Sequence, residues 1–303
     1  MKFEVTILGS SSATPIYNRN PTAQALNIND LWYLIDCGEG TQQQMLRFEV
    51  KAAKINCIFI SHLHGDHYLG LVGLLSSLHL NGRKKPMKLF GPAPLMEIIN
   101  LQLKYSDTTL QYPIEFTATN PDVPELILDN QDITVETIPL DHRVPCTGFL
   151  IKEKKRSRKL IKDKIEELEI PVPYFTSIKK GFDYTAPDGR VYANKDLTTD
   201  PDEPKSYAYC SDTVYNQSYF EQIKGATMLY HESTFLHDML DRAQETFHTT
   251  ALQAAQVAEI TGAKHLLIGH FSARYKSLNE LLDEAQSVFP NTDLAVEGKT
   301  YVV

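Results

Sequence analysis

The chain has 303 residues, 42% of them hydrophobic and 22% charged, with a formal net charge of −8. That length buries a large core, as one big α/β domain or two ordinary ones, while the negative balance argues against a surface that coats nucleic acid nonspecifically. No run approaches the roughly 18 apolar residues of a membrane span, and Phe3-Glu4-Val5-Thr6-Ile7 alternates like a strand instead of supplying a secretory apolar region, so a cytoplasmic protein is expected. The four cysteines, Cys37, Cys57, Cys146 and Cys210, are far apart and form no C-x-x-C pair, which reads as reduced structural thiols.

Residues Phe3–Gly9 predict a first strand, followed by Ser10-Ser11-Ser12-Ala13-Thr14-Pro15, a loop of small residues able to approach a ligand closely. Leu26–Ile28 and Trp32–Gly38 predict a hairpin, and Thr41 is the expected N-cap of a helix carrying Met45, Leu46 and Phe48 on its apolar side. Residues 55 to 60 form a strand that feeds Ser61-His62-Leu63-His64-Gly65-Asp66-His67. Three imidazoles and a carboxylate crowd into six positions there, and Gly65 lets the backbone turn between them. Neutral imidazole and ionised carboxylate are what zinc takes in catalytic sites. His62 and His64, two apart at a strand end, project the same way and can share one ion, while Asp66 and His67 point elsewhere, which predicts a two-metal site.

An apolar helix over 69–80 follows, then a strand at Lys88–Phe90 and a helix at Leu95–Tyr105 with Met96, Ile99 and Leu103 at helical spacing. Ile133–Leu140 alternates as a strand and delivers His142 at its end. Between 151 and 195 the pattern changes to an insertion. Lys152, Lys154, Lys155, Arg156, Arg158, Lys159, Lys162 and Lys164 are offset there only by Glu153 and Asp163. Clustered Lys and Arg hold RNA through backbone charge and shape. Ser206–Cys210 is a buried strand ending in Ser211-Asp212-Thr213, and Asp212 suits a carboxylate shared by two cations, whose mutual repulsion a common anion offsets. Ala226–Tyr230 is the next strand, ending in His231-Glu232-Ser233-Thr234. Thr250 and Gln253 make a capping box for a helix that reaches Thr261 and stops at Gly262, with His248 just before its start. The last informative strand, from His265, ends at His270. His79, His237 and His265 are expected to be structural.

These segments resemble a known family. Ser61-His62-Leu63-His64-Gly65-Asp66-His67 is similar to the H-x-H-x-D-H signature of the metallo-β-lactamase superfamily. Asp36-Cys37-Gly38-Glu39-Gly40-Thr41, His231-Glu232-Ser233-Thr234, His248-Thr249-Thr250 and His270-Phe271-Ser272-Ala273-Arg274-Tyr275 resemble motifs of its ribonuclease Z members. Pro15-Ile16-Tyr17-Asn18-Arg19-Asn20 resembles their P-x-K-x-R-N loop, with Tyr17 at the lysine position. The resemblance implies an α/β metallo-β-lactamase-type αβ/βα four-layer sandwich spanning 1–303, with 151–195 as an inserted basic arm that holds tRNA.

It also implies the site. His62, His64 and His142 would hold one zinc, Asp66, His67 and His270 a second, and Asp212 both, with Asp36 supporting the ligand turn from behind. Asp66 would accept a proton, and His248, oriented by Glu232, would give one to the leaving oxygen. Arg19, Arg274, Lys154, Lys155, Arg156, Arg158 and Lys159 are the expected contacts to substrate. The implied activity is a zinc-dependent endoribonuclease, acting as a homodimer, that cuts precursor tRNA after the discriminator nucleotide. A hydrolase of the same fold acting on a small phosphodiester or ester would share the metal turn but need no basic arm.

Overall fold

The computed structural model describes residues 2–303. Two seven-stranded sheets carry the larger of two compact units, which runs up to Lys152 and resumes at Lys205. In the first sheet the strands lie in the order Thr300–Val302, Phe3–Gly9, Ala23–Ile28, Leu31–Ile35, Ile55–Phe59, Met87–Gly91 and Ile114–Ala118. The second runs Thr292–Leu294, Leu266–Gly269, Met228–Glu232, Ser206–Cys210, Cys146–Glu153, Ile133–Leu140 and Leu126–Asp129.

The sheets face each other across an aromatic core. Phe59 stacks on Phe90 at 5.0 Å and meets Phe149 of the opposite sheet at 5.3 Å, and Tyr209 stacks on Tyr230 at 5.0 Å. All six residues of Ala23–Ile28 are buried, as a strand covered on both faces requires. The outer face of the first sheet packs Leu71, Leu74, Leu75 and Leu78 from one helix and Leu95, Ile99 and Leu103 from another. The outer face of the second packs Ala254, Ala255 and Ala258, with Leu281 and Ala285 of a last helix over Asn279–Val288. Helix, sheet, sheet, helix is the four-layer order expected from the resemblance.

Within each sheet the strands nearest the site run parallel. Leu31–Ile35 pairs in parallel with Ile55–Phe59, and Ser206–Cys210 with Met228–Glu232 and then Leu266–Gly269. Parallel strands bring their carboxyl ends to one edge, so Asp36, Ser61, Asp212, Glu232 and His270 leave their strands side by side.

Local signals were met closely in two places. The helix Leu95–Tyr105 has its expected bounds. The helix Ala251–Thr261 opens on a full capping box: Gln253 N–H donates to Thr250 Oγ1 and Thr250 N–H to Gln253 Oε1, a cap worth about 1 kcal/mol. The earlier helix, Thr41–Arg47, corrects the expectation for Thr41. Its N-cap is Gly40, at φ 81°, a backbone that glycine adopts without strain, and Thr41 Oγ1 instead donates back to Gly38 O at 2.7 Å.

The second unit is Glu153–Pro204. Of the expected 151–195 segment, Ile151 and Lys152 belong to the strand Cys146–Glu153. The unit has a small core of its own in Ile165, Ile170, Ile178, Tyr184 and Leu197. Two-residue ladders join Lys159–Leu160 to Thr198–Thr199 and Tyr184–Thr185 to Val191–Tyr192. Buried Asn194 ties it together, its amide donating to the carbonyls of Ile178 and Phe182. Among the described residues, no helix is long and apolar enough to cross a membrane.

Candidate metal centre

The turn after Phe59 is built on Asp36. This fully buried carboxylate accepts from Ser61 N–H at 2.7 Å, Ser61 Oγ at 2.9 Å and, from the opposite sheet, Tyr209 Oη at 2.6 Å. His67 Nδ1 lies 2.8 Å from the same carboxylate, which fixes the proton on Nδ1 and leaves the Nε2 lone pair facing the centre. Asp36 sits at φ 55°, in a left-handed conformation that a short polar side chain tolerates.

Around this support two groups of ligand atoms form. His64 Nδ1 lies 3.1 Å from His62 Nε2 and 3.1 Å from His142 Nε2. His67 Nε2, His270 Nε2 and Asp66 Oδ2 lie 3.3 to 3.5 Å from one another. Asp212 stands between the groups. Its Oδ2 is 3.6 Å from His62 and 3.8 Å from His142, and its Oδ1 is 3.4 Å from His67 and 3.3 Å from His270. Donor atoms of His62, His64, His142 and Asp212 all fall within 4.8 Å of one another, as do those of Asp66, His67 and His270.

Electrostatics prepare the donors. Burial, with His67 next, holds His62 well below the ordinary histidine value, and burial with neighbouring imidazoles also lowers His64 and His142. These rings are therefore neutral, with lone pairs free. Burial alone would raise Asp212 and Asp66, but the histidines around them hold both well below the usual carboxylate range. His67 is the counterpart: burial works against its charge, yet Asp212, Asp66 and Asp36 together raise it well above the usual value. Carboxylates converging on one imidazole mark a place that demands positive charge, which a divalent cation at the Nε2 lone pair would supply, and the donor set fits such a cation.

Beside the two groups, His248 Nδ1 lies 2.9 Å from Glu232 Oε1. Glu232 is fully buried and also accepts from Thr213 N–H, Thr234 N–H and Thr234 Oγ1, so its position is fixed from three directions. Burial opposes charge on His248, but Glu232 raises its pKa to about 9, so the ring carries a proton near neutral pH. A cleft of about 380 Å³ opens over the centre, lined among others by His64, Asp66, His142, Asp212, His248 and His270.

The expected substrate contacts fall elsewhere. Arg19 lies on the 10–20 loop, donating to Tyr275 O at 2.8 Å and lying over the Tyr17 ring. Arg274 is exposed, its guanidinium 5.9 Å from the centroid of Phe235. In the second unit Lys154, Lys155 and Arg156 are exposed, while Arg158 is ion-paired with Asp200 and Lys159 with Asp202 at 2.8 Å. His79, His237 and His265 sit apart from the centre, against Gln111 N–H, Thr250 Oγ1 and Asp293. Sequence reading missed three participants. Arg143 Nη2 reaches His64 Nε2 at 3.4 Å, Thr234 Oγ1 touches Glu232 and His270 Nδ1, and Tyr209 braces Asp36. Arg143, next to a histidine at a strand end, carried a local signal; the other two carried none.

Paired sheets with a His/Asp cluster at their shared edge define a metal-binding hydrolase of the metallo-β-lactamase fold. The chain superposes on the metallo-β-lactamase-fold protein YhfI from Bacillus subtilis with a TM-score of 0.69 at 21% identity, over 99% of each chain. Short-form human tRNase Z aligns with a TM-score of 0.71 at 25% identity, again over 99% of both. Ribonuclease Z from Cytophaga hutchinsonii is 50% identical over all of this chain and 97% of its own, and that from Bacteroides fragilis 45% identical over 98% of each. The chain belongs to the ribonuclease Z family. The family model described as "Anti-Pycsar protein Apyc1" matches residues 3–157, a half of the chain that carries the His62–His67 turn and His142 and belongs to that family as well.

Proposed function

We propose that this chain is a metal-dependent endoribonuclease that removes the 3′ trailer from precursor tRNA, leaving a tRNA 3′-hydroxyl and a trailer 5′-phosphate. The observation that carries the reading is Asp212, whose two oxygens face two separate imidazole groups. His62, His64 and His142 would hold one zinc ion, Asp66, His67 and His270 another, and Asp212 both. Such a pair supplies Lewis acidity that activates water and offsets charge on the attacked phosphorus.

The chain's own groups handle the protons. Water attacks phosphorus in line and its proton passes to Asp66, at the rim of the cleft; the bond from phosphorus to the 3′-oxygen breaks, and that oxygen takes the proton of His248. Glu232 keeps His248 charged and aimed. Arg274, on the Ser272–Tyr275 segment, and Arg19, which donates to Tyr275 O, would meet the RNA near the cut, and the 151–195 basic segment, with Lys154, Lys155, Arg156, Arg158 and Lys159, would hold the tRNA body through its phosphates. The proposed working form is a cytoplasmic homodimer. An open apolar groove of about 1180 Å³, with exposed Leu46 and Leu69 along it, offers a face for a second copy.

Incubating the purified chain with a precursor tRNA, with and without chelator, and mapping both product ends tests the reading. One cut after the discriminator nucleotide, abolished by chelator and restored by zinc, is expected. His248→Ala should slow cleavage by about 10²–10⁴-fold with metal content unchanged; loss of metal in that variant refutes the proton-donor role.

A further inference from the structure

The 10–20 loop meets the residues of the metal centre at two places. Ser10 O accepts from Phe271 N–H, and Ser12 N–H donates to Phe271 O, which ties the loop to the residue after His270. At its near end Ala13, at φ 61°, directs its N–H to Asp66 Oδ2 at 2.7 Å. A tight turn follows, with paired hydrogen bonds between Ile16 and Arg19 and positive φ at both Tyr17 and Asn18. A left-handed Ala and a left-handed Tyr in one short loop are conformations a free chain does not keep.

Backbone bonds from Ser10 N–H and Ser11 N–H to Asn20 O, at 3.0 and 2.9 Å, close the base of the loop, and one side chain reinforces that closure. Glu297, from the turn before the last strand, accepts from Ser10 N–H at 3.2 Å and Asn20 N–H at 2.6 Å, and thus clamps both ends of the loop. Ser10 Oγ adds a third donor to the same oxygen, Oε1. Oε2 accepts from Gln44 Nε2 at 2.6 Å, and Gln44 in turn donates to Leu8 O at 2.9 Å, which fixes the carboxylate against the first strand. The remaining surroundings are a pocket of about 290 Å³ whose charged lining is Arg19, Lys276 and Glu297 itself.

We propose that Glu297 is a positioning residue for the reaction: by pinning Ser10 and Asn20 it keeps the Ala13 N–H on the Asp66 carboxylate. The inference rests on the reading of Asp66 as part of the working centre. A role in stability alone is a poor account of this carboxylate. Burial pushes its pKa up to about 7, so the ionised form is held at a cost that a neutral side chain would avoid.

The test is amide hydrogen exchange of the full chain, read by mass spectrometry, beside steady-state cleavage of precursor tRNA. In Glu297→Ala the amides of 10–20 should exchange about tenfold faster while those of Ile55–Phe59 and Ala251–Thr261 keep their rates. In the same variant kcat should fall about tenfold with KM moving less than about threefold, because substrate affinity is carried by the basic segment. Glu297→Gln keeps one accepting oxygen for Ser10 and Asn20 and should recover most of both losses. Should Glu297→Ala not fold, Glu297→Gln still gives a two- to threefold effect, roughly, through its lost bond from Gln44. Loop exchange at the wild-type rate in these variants, exchange that rises equally through the whole fold, or a loosened loop with unchanged kcat overturns the proposal. Failure of the wild-type chain to cut precursor tRNA would instead sink the functional reading, which the exchange measurement keeps distinct.

Discussion

Replacing Asp36 by asparagine tests how the ligand turn is held. Asparagine is nearly isosteric and tolerates the left-handed backbone at this position, so the change acts on charge and hydrogen bonding alone. The carboxylate receives four donors: Ser61 N–H, Ser61 Oγ, Tyr209 Oη and His67 Nδ1. Ser61 N–H donates to Oδ1 and the other three meet Oδ2, so an amide that keeps its oxygen on Ser61 N–H turns an N–H₂ toward Ser61 Oγ, Tyr209 and His67, and the flipped amide sets its N–H₂ against Ser61 N–H. In either orientation the buried charge is gone and at least one donor faces a donor, with hydrogen bonds to a charged acceptor worth about 1.5–3 kcal/mol each, which gives a destabilisation of about 3–5 kcal/mol, the range for breaking a buried charged pair. The second consequence is chemical. In the first orientation a donor faces Nδ1 and favours the tautomer that carries its proton on Nε2, which leaves no lone pair for the group formed with Asp66 and His270; in the flipped one the lost charge weakens the hold on Nδ1–H. Metal affinity should drop about 10–100-fold. Urea unfolding and zinc titration against a competing chelator measure the two effects. Asp36→Asn with stability within about 1 kcal/mol of wild type and undiminished affinity would refute the account of the turn.

The other expectations concern charge. Glu297 titrates near 7 in the fold against an ordinary 4.5, because burial raises it and its amide donors and Arg19 draw it back only partly. Between those values the native state keeps a proton that the unfolded state has shed, so the contribution of this group to stability is full below pH 4.5 and is lost as pH rises through 7. The full shift, discounted for partial exposure and for the facing Arg19 and Lys276, is worth about 1–2 kcal/mol. Urea midpoints from pH 5 to 8 should show that slope flattened by that amount in Glu297→Gln, and an unaltered slope would place the titration elsewhere. In the basic segment, replacing Lys155 and Arg156 with alanine should reduce the slope of log kcat/KM against log salt by about 2 for precursor tRNA. Hydrolysis of a small aryl phosphodiester should stay as it was.

What the sequence disclosed divides along a physical line. The turn His62–His67 was legible because its chemistry is compressed into six positions with a glycine among them, and Asp212 and His270 because each ends an apolar run. The helix Ala251–Thr261 was legible because its start and stop are local hydrogen-bond patterns. The misses are contacts across the fold. Thr41 looked like a cap because its hydroxyl is the right type, but the backbone before it turns left-handed and only Gly40 does so freely. Tyr209 reaches Asp36 over 173 positions and Glu297 reaches Ser10 over 287; neither has a neighbour in sequence that hints at the partner. Arg274, on the segment that most resembles the family, lies over Phe235 and outside the ligand groups. Its surroundings depend on the segment Ser233–Phe235, which the local sequence does not report.

The acidity of the whole chain and the basicity of one segment suit a division of labour. The centre buries Asp66, Asp212 and Glu232 close together, with His67 and His248 raised by them and the other shifted imidazoles, His62, His64 and His142, lowered. Such a cleft repels a polyanion until cations fill it. A chain that brings RNA to this cleft therefore needs its attraction placed elsewhere, and the exposed Lys154, Lys155 and Arg156 lie on a compact unit with a core of its own. Phosphate binding there can be strong without placing a fixed positive charge among the ligands, where lysine would compete with metal for the same carboxylates. Affinity and chemistry are thereby set by different residues, which is why the Glu297 and Lys155/Arg156 variants should separate kcat from the salt-dependent part of kcat/KM.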